Sequence, residues 1–329
     1  MKAIVQREFG PAEVLVLEET DRPSPGPGQV LVRVAAAGVH VLDTNIRRGD
    51  PLPPTMPAPR FPMTPGREVA GTVEAVGPDV AASWTGKRVV VHVGFLNGGY
   101  AEYTVAPAAS LHALPDGVSF SAAVSAIGTG RTAQLVLDAA RLTPEDAVVV
   151  TGASGGLGNQ LMQLALALGC RVVALYGGEA KRSAVLDFQA GGLIPVDASD
   201  REWAERMKDE LKGDAPSVVL DGVGGDVARA ALKSLRPGGR HFIFGWSSGG
   251  PVEVTTADIT GGAITVGSVL GRPISAMRDL ETRSLEAVAR GEVRPLVDEY
   301  RLEDAVLAHL AIEERRSRGK VVLLTSAGR

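Results

Sequence analysis

The apolar and polar positions follow two rhythms along the 329-residue chain. Up to about residue 122 the apolar runs are short, β-branched and bounded by turn formers. Examples are Val30-Leu31-Val32-Arg33-Val34, Gly71-Thr72-Val73-Glu74-Ala75-Val76-Gly77 and Lys87-Arg88-Val89-Val90-Val91-His92-Val93. Such runs predict strands. Proline and glycine crowd the gaps, and the proline-rich stretch 51–65 predicts an irregular loop or lid. From about 122 to about 270, apolar strands alternate with helical patterns. Strands are predicted at 147–151, 171–176, 217–221, 240–244 and 263–268, with a short one at 193–196. Helices are predicted at 122–140, 156–168, 179–190, 200–212 and 225–235. This alternation implies an α/β fold with a mainly parallel, doubly wound sheet. Beyond 270, helices near 276–290 and 302–314 precede a final strand, Lys320-Val321-Val322-Leu323-Leu324.

The candidate chemistry begins where Ala147-Val148-Val149-Val150 runs into Thr151-Gly152-Ala153-Ser154-Gly155-Gly156-Leu157-Gly158 and then into an apolar helix. In a strand, glycine turn and helix, the backbone can approach a pyrophosphate whose charge rests at the helix N-terminus. Ser154, Gly155, Gly156, Leu157 and Gly158 are the expected contacts. The same turn fits G-x-S-x-G, the nucleophile elbow of α/β-hydrolases, with Ser154 as nucleophile. Its surroundings weigh against that reading. The preceding β-rich part holds little helix, and only His241 or His309 follows as a base, neither in an obvious loop after a strand. A dinucleotide is therefore expected. The second strand ends in Tyr176-Gly177-Gly178 without the carboxylate that binds a ribose 2′-hydroxyl, and Lys181 and Arg182 follow. A 2′-phosphate wants cations, so NADP(H) is expected over NAD(H), with Tyr176 and Lys181 at the adenosine end.

The net charge of −4 gives no basic footprint for nucleic acid. The single cysteine, Cys170, excludes an intrachain disulfide and a multi-cysteine metal site and reads as a buried structural residue. No signal-peptide signature opens the sequence and no apolar run reaches the ~18 residues of a membrane span. A cytoplasmic protein is expected.

Over nearly its whole length the chain resembles the medium-chain dehydrogenase/reductase superfamily, in its zinc-free quinone oxidoreductase-like branch. The resemblance rests on Ala37-Gly38-Val39-His40-Val41-Leu42-Asp43, Arg47-Arg48-Gly49 and Pro65-Gly66-Arg67-Glu68-Val69-Ala70-Gly71-Thr72-Val73. It continues through Gly99-Tyr100-Ala101-Glu102-Tyr103, the glycine turn, Leu220-Asp221-Gly222-Val223-Gly224, Phe244-Gly245-Trp246-Ser247-Ser248-Gly249 and Gly319-Lys320-Val321-Val322-Leu323. The resemblance implies a GroES-like β-barrel catalytic domain at 1–122 and 270–329, a Rossmann domain at 123–269, and an active site in the cleft between them. It adds Thr132, Phe244, Gly245 and Lys320 to the expected cofactor contacts and matches Lys181 to the family's phosphate-binding lysine. The tyrosine that the family also places there corresponds to Val196.

Where the zinc-dependent members carry a Cys ligand this chain has His40, and their Gly-His-Glu is Gly66-Arg67-Glu68. An arginine offers a metal no lone pair, so no metal is expected, and His40 with Glu68 would make only a partial site. Zinc-free members deliver hydride to quinones or α,β-unsaturated carbonyls. They usually carry Asn where His40 stands, and their nearby tyrosines are Asn45 and Pro51 here. The expected catalytic set is His40, Asn45 and Asp43. His40 would bind the substrate carbonyl or donate a proton, held near neutrality by Asp43 or Asn45; the alternative is a structural His, with water as the proton source. The implied activity is NADPH-dependent reduction of a quinone or enone. Alternatives are enoyl reduction of an acyl-thioester or polyketide intermediate, or NADPH binding with little catalysis. A homodimer is expected through the edge strand near 263–268.

Overall fold

The computed structural model describes residues 1–52, 56–94, 98–188, 190–270 and 276–328. They form two compact units. One comprises Met1–Gly130, Glu281–Arg290 and Val297–Arg329; the other comprises Arg131–Leu280 and Gly291–Leu296. Among the described residues no helix is long and apolar enough to cross a membrane.

The first unit opens with a hairpin of β1 (Lys2–Val5) and β2 (Val16–Glu19). Strand β3 (Gln29–Gly38) leads directly into helix α1 (Val41–Arg48). Then come β4 (Glu68–Val76), β5 (Arg88–His92), β6 (Tyr103–Pro107) and β7 (His112–Ala113). β3 is buried almost throughout because it pairs antiparallel with both β4 and β6. Its valines join Val69, Val89, Val91 and Tyr100 in one core. Helix α2 (Phe120–Ser125) passes through a π turn, Ala126–Gly130, into α3 (Arg131–Ala140), so the helix predicted at 122–140 is three joined segments.

The second unit runs β8 (Ala147–Val150), α4 (Gly156–Ala167), β9 (Arg171–Tyr176), α5 (Ser183–Leu186), β10 (Leu193–Asp197) and α6 (Trp203–Glu210). It continues through β11 (Val218–Asp221), α7 (Gly225–Lys233), β12 (Arg240–Ile243), α8 (Thr256–Gly262) and β13 (Thr265–Ser268). The strands lie parallel in the order β10-β9-β8-β11-β12-β13, the doubly wound order of dinucleotide-binding sheets. Their near-continuous valine and leucine runs are what a sheet covered on both faces requires.

Helix α9 (Met277–Ala289), strand β14 (Val297–Arg301), helix α10 (Ala305–Glu313) and strand β15 (Lys320–Leu324) complete the chain. β15 pairs antiparallel with the end of β3 and parallel with β14, which closes the larger sheet of the first unit.

Several elements depart from the pattern. Helix α1 was not expected, nor was α8, whose C-cap Ala263 is left-handed and delays β13 to Thr265. The helix expected at 179–190 is a 3₁₀ turn, Glu179–Lys181, followed by the four-residue α5; residue 189 lies outside the described residues. Parts of two expected loops, 53–55 in the proline-rich stretch and 271–275 after β13, also lie outside them.

Candidate functional site

In the second unit the glycine turn sits at the end of β8. Thr151 Oγ1 donates to Asp221 Oδ1 at 2.8 Å, and the same oxygen accepts the N–H groups of Val223 and Gly224 at 3.0 and 3.1 Å. One carboxylate therefore ties the loops after β8 and β11 together. Burial alone would raise the Asp221 pKa, yet these bonds and neighbouring His241 hold it below its ordinary value. Gly152 has φ of 64°, a left-handed turn that favours glycine. Gly155 N-caps α4 without a side-chain bond, so the first-turn N–H groups are open to an anion. A Cβ at Gly158 would lie 2.3 Å from Gly152 O, so only glycine lets α4 start this close to the turn. Turn and helix fit a pyrophosphate. Ser154 is 4% exposed, which does not suit a nucleophile presented at an elbow.

At the end of β9, Tyr176 is buried and Lys181 ends the 3₁₀ turn. Val196 packs into the core beside Val173 and Leu175, so that position offers a nucleotide no contact. A carboxylate does stand beside this strand end. Asp197 on β10 is in register with Tyr176, and its Oδ1 accepts Gly178 N–H at 2.8 Å and Ser199 N–H at 2.9 Å. It was not legible in sequence because it belongs to the neighbouring strand. Thr132 lies in the first turn of α3 and Phe244 and Gly245 follow β12, Phe244 against Gly222; Trp246 is half exposed.

In the first unit, β3, α1, β4 and β15 assemble a buried cluster. His40 N-caps α1, and its Nε2 lies 2.5 Å from Glu68 Oε2. Lys320 Nζ lies 3.8 Å from the same oxygen, buried and with no hydrogen-bond partner. Lys320, expected at the cofactor, is thus buried beside Glu68. Asp43 Oδ2 accepts the His40 backbone N–H at 2.8 Å and the Tyr100 hydroxyl at 3.2 Å, and Oδ1 accepts Arg67 Nε at 3.1 Å. The Asn45 amide oxygen accepts Arg48 Nη2 at 2.8 Å. The imidazole thus faces Glu68; the side chains of Asp43 and Asn45, expected to hold it, are engaged elsewhere.

The electrostatics follow from burial and neighbours. Burial lowers the His40 pKa, and Lys320 and Arg67 lower it further against the pull of Glu68. Burial would raise Glu68, but His40, Lys320 and Arg67 hold it well below the usual range. Burial brings Lys320 down to about 8, with Glu68 opposing. Between a carboxylate and a neutral imidazole the shared proton belongs on Nε2, leaving Nδ1 as an acceptor. The His40 side chain also faces the Asp43 backbone N–H in a capping box at the start of α1, which leaves Nδ1 as the ring atom on that side.

Behind this cluster, His309 of α10 is fully buried with Nε2 3.4 Å from the Tyr100 hydroxyl. Burial pushes its pKa from 6.5 to about 4. The fold keeps it neutral while the unfolded chain protonates it, so stability falls as pH drops from about 6.5 through about 4. His309→Leu is expected to remove about 2 kcal/mol of the stability lost between about pH 7 and pH 5, read by urea unfolding at each pH. An unchanged acid loss would refute this assignment.

The cluster does not fit zinc. A zinc site needs lone-pair donors converging at about 2.0–2.3 Å. Here His40 and Glu68 bond to each other, Arg67 turns to Asp43, and an ammonium faces the carboxylate. Among the described residues no group of three or more His, Cys, Asp and Glu is placed to hold a metal ion.

Comparison with known proteins gives two family models. Residues 26–116 match the alcohol dehydrogenase GroES-like domain and residues 156–287 match the zinc-binding dehydrogenase family. The chain is 32% identical to quinone oxidoreductase from Mus musculus, with 98% of each covered. It is 31% identical to 2-haloacrylate reductase from a Burkholderia species, with 99% of each covered. Among solved structures, an NAD-dependent alcohol dehydrogenase matches with TM-score 0.87 at 30% identity, covering 98% of this chain and 99% of that one. Escherichia coli quinone oxidoreductase complexed with NADPH matches with TM-score 0.83 at 28% identity, covering 98% of this chain and 100% of that one.

Proposed function

Because the chain belongs to the medium-chain dehydrogenase/reductase superfamily, in its quinone oxidoreductase-like branch, we propose that it is a zinc-independent, NADPH-dependent reductase of quinones or α,β-unsaturated carbonyls. The observation that carries this is the misfit of the His40–Glu68–Lys320 cluster to zinc. Without a Lewis acid, hydride transfer to a simple carbonyl must place charge on one unassisted oxygen. Quinones and enones spread that charge through conjugation, so they suit this cluster. NADPH supplies the hydride when bound. The open first turn of α4 and the loops tied by Asp221 would hold its pyrophosphate, with Lys181 and Arg182 at the 2′-phosphate. His40, Asp43 and Asn45, at the start of α1, are the side chains proposed nearest the acceptor.

Asp197 favours a second reading, NAD(H), because a carboxylate on β10 beside the end of the second strand suits a free 2′-hydroxyl. Absorbance at 340 nm separates the two with a benzoquinone, a naphthoquinone, a 2-alkenal, a cyclic enone and a crotonyl thioester. Turnover with NADPH at least about tenfold better than with NADH is the expected result; a tenfold preference corresponds to about 1.4 kcal/mol. The reverse preference refutes the NADP(H) assignment. The best acceptor decides between quinone or enone and enoyl-thioester chemistry. NADPH binding with no turnover of any acceptor favours the binding-protein reading.

The enzyme is proposed to be cytoplasmic and homodimeric. Strand β13 ends the parallel sheet, and among the described residues no strand pairs with its outer side. Light scattering at micromolar protein should give twice the 34.2 kDa chain mass. A monomer would refute the dimer.

A further inference from the structure

Glu68 occupies a seat cut for a carboxylate. A Cβ at Gly128 would lie 1.7 Å from its Oε1, and a Cβ at Gly38 would lie 3.1 Å from its Oε2. Gly128 falls in the π turn, Ala126–Gly130, whose extra residue distorts the helix at this point. The side chain is 1% exposed, and its Oε2 faces both His40 Nε2 and the buried, hydrogen-bond-free ammonium of Lys320. A carboxylate walled in by two glycines and held by an ammonium cannot swing away from the imidazole.

We propose that Glu68 and Lys320 act as positioning residues that lock His40 in its Nε2–H tautomer, so that the ring keeps its lone pair on Nδ1, at the start of α1, and holds no second proton. The charged groups around the ring agree. Glu68 from β4 accepts the Nε2–H hydrogen bond, while Lys320 from β15 and Arg67 disfavour a second proton; Asp43 from α1 is spent on Arg67, Tyr100 and the His40 backbone. In the proposed reduction, on which this consequence rests, hydride passes from NADPH to the acceptor carbon. The proton reaching the resulting anion comes from water, and NADP⁺ and the reduced acceptor leave.

The test is long-range ¹H–¹⁵N correlation spectroscopy on the full chain labelled with ¹⁵N-histidine, with His40→Asn assigning the signal. The wild type should show a protonated Nε2 and a bare Nδ1 around neutrality. In Glu68→Gln the amide can donate to Nε2, so the signal should move toward the Nδ1–H tautomer. Lys320→Met removes a cation, so the His40 midpoint should rise by roughly one pH unit. Lys320→Arg keeps the charge and should keep the wild-type spectrum, which separates charge from lost packing. With the best acceptor, Lys320→Met should also gain a rise in kcat on the acid side that the wild type lacks. An Nδ1–H tautomer in the wild type would overturn the proposal, as would a tautomer and midpoint unchanged in both Glu68→Gln and Lys320→Met. The spectra need no substrate, so the expected spectra without turnover would uphold the lock and sink only the reductase reading.

Discussion

Asp43→Ala is expected to destabilise the first unit by about 3–5 kcal/mol, the usual loss when one member of a buried charge pair is removed. Asp43 is 5% exposed and Arg67 8%, and the guanidinium has its hydrogen bond to this carboxylate. The same carboxylate receives the Tyr100 hydroxyl and the N–H of His40, the N-cap of α1. Alanine would leave a buried cation, a buried hydroxyl and a helix N-terminus without their acceptor at once. Burial raises the Asp43 pKa, but Arg67 and His40 outweigh it and hold it below the ordinary value. The interaction is therefore strongest with the carboxylate charged and weakens as acid protonates it. Calorimetry should show the loss in the transition of the first unit and leave that of the second in place. The double variant Asp43→Leu with Arg67→Met should recover much of the loss, because an apolar pair leaves no stranded charge. A loss under about 1 kcal/mol for Asp43→Ala would mean that water reaches Arg67.

Gly158→Ala is expected to weaken NADPH binding by roughly 10- to 100-fold, matching an overpacking strain of about 1–3 kcal/mol. The added methyl would stand 2.3 Å from Gly152 O and 2.7 Å from Gly152 C. Both are backbone atoms of the turn, so relief requires the turn itself to open. Gly261→Ala is the control, since nothing lies within 4 Å of its Cβ. That variant sits in α8 and should gain about 0.5–1 kcal/mol of stability or stay neutral, with binding unchanged. Equal binding by Gly158→Ala and wild type, in a fluorescence titration, would remove the glycine turn from the nucleotide site.

The parallel sheet was the most legible part of the chain. Its strands are buried on both faces, so continuous runs such as Val148-Val149-Val150 and Val172-Val173 announce themselves without alternation. Helix α1 was hidden because its N-cap is His40 rather than a Ser, Thr, Asp or Asn, and its first turn reads as the tail of β3. The signal available was Asp43 at the third helical position and Gly49 just past the end. The residues around His40 were harder still. Glu68 stands beside His40 only because β4 pairs with β3, and Lys320 joins them only because β15 does. Tyr100 and His309 carried no motif; burial and the hydroxyl between His309 and Asp43 give them their place. Spacing along a chain reports local periodicity, and these contacts span up to 280 residues of it, as between His40 and the neighbourhood of Lys320.

The pairing of β15 with the end of β3 also has a consequence for the order of assembly during synthesis. All strands of the parallel sheet lie between residues 147 and 268, so that unit can close while the last residues are still unmade. The larger sheet of the first unit must wait for residues 320–324 to reach residues 36–38, and such long loop closures are slow. Until then Glu68 and His40 lack their ammonium. A nascent chain is thus expected to acquire nucleotide affinity before it acquires a complete charged cluster, and a chain released early from the ribosome would hold cofactor without a tuned reaction centre.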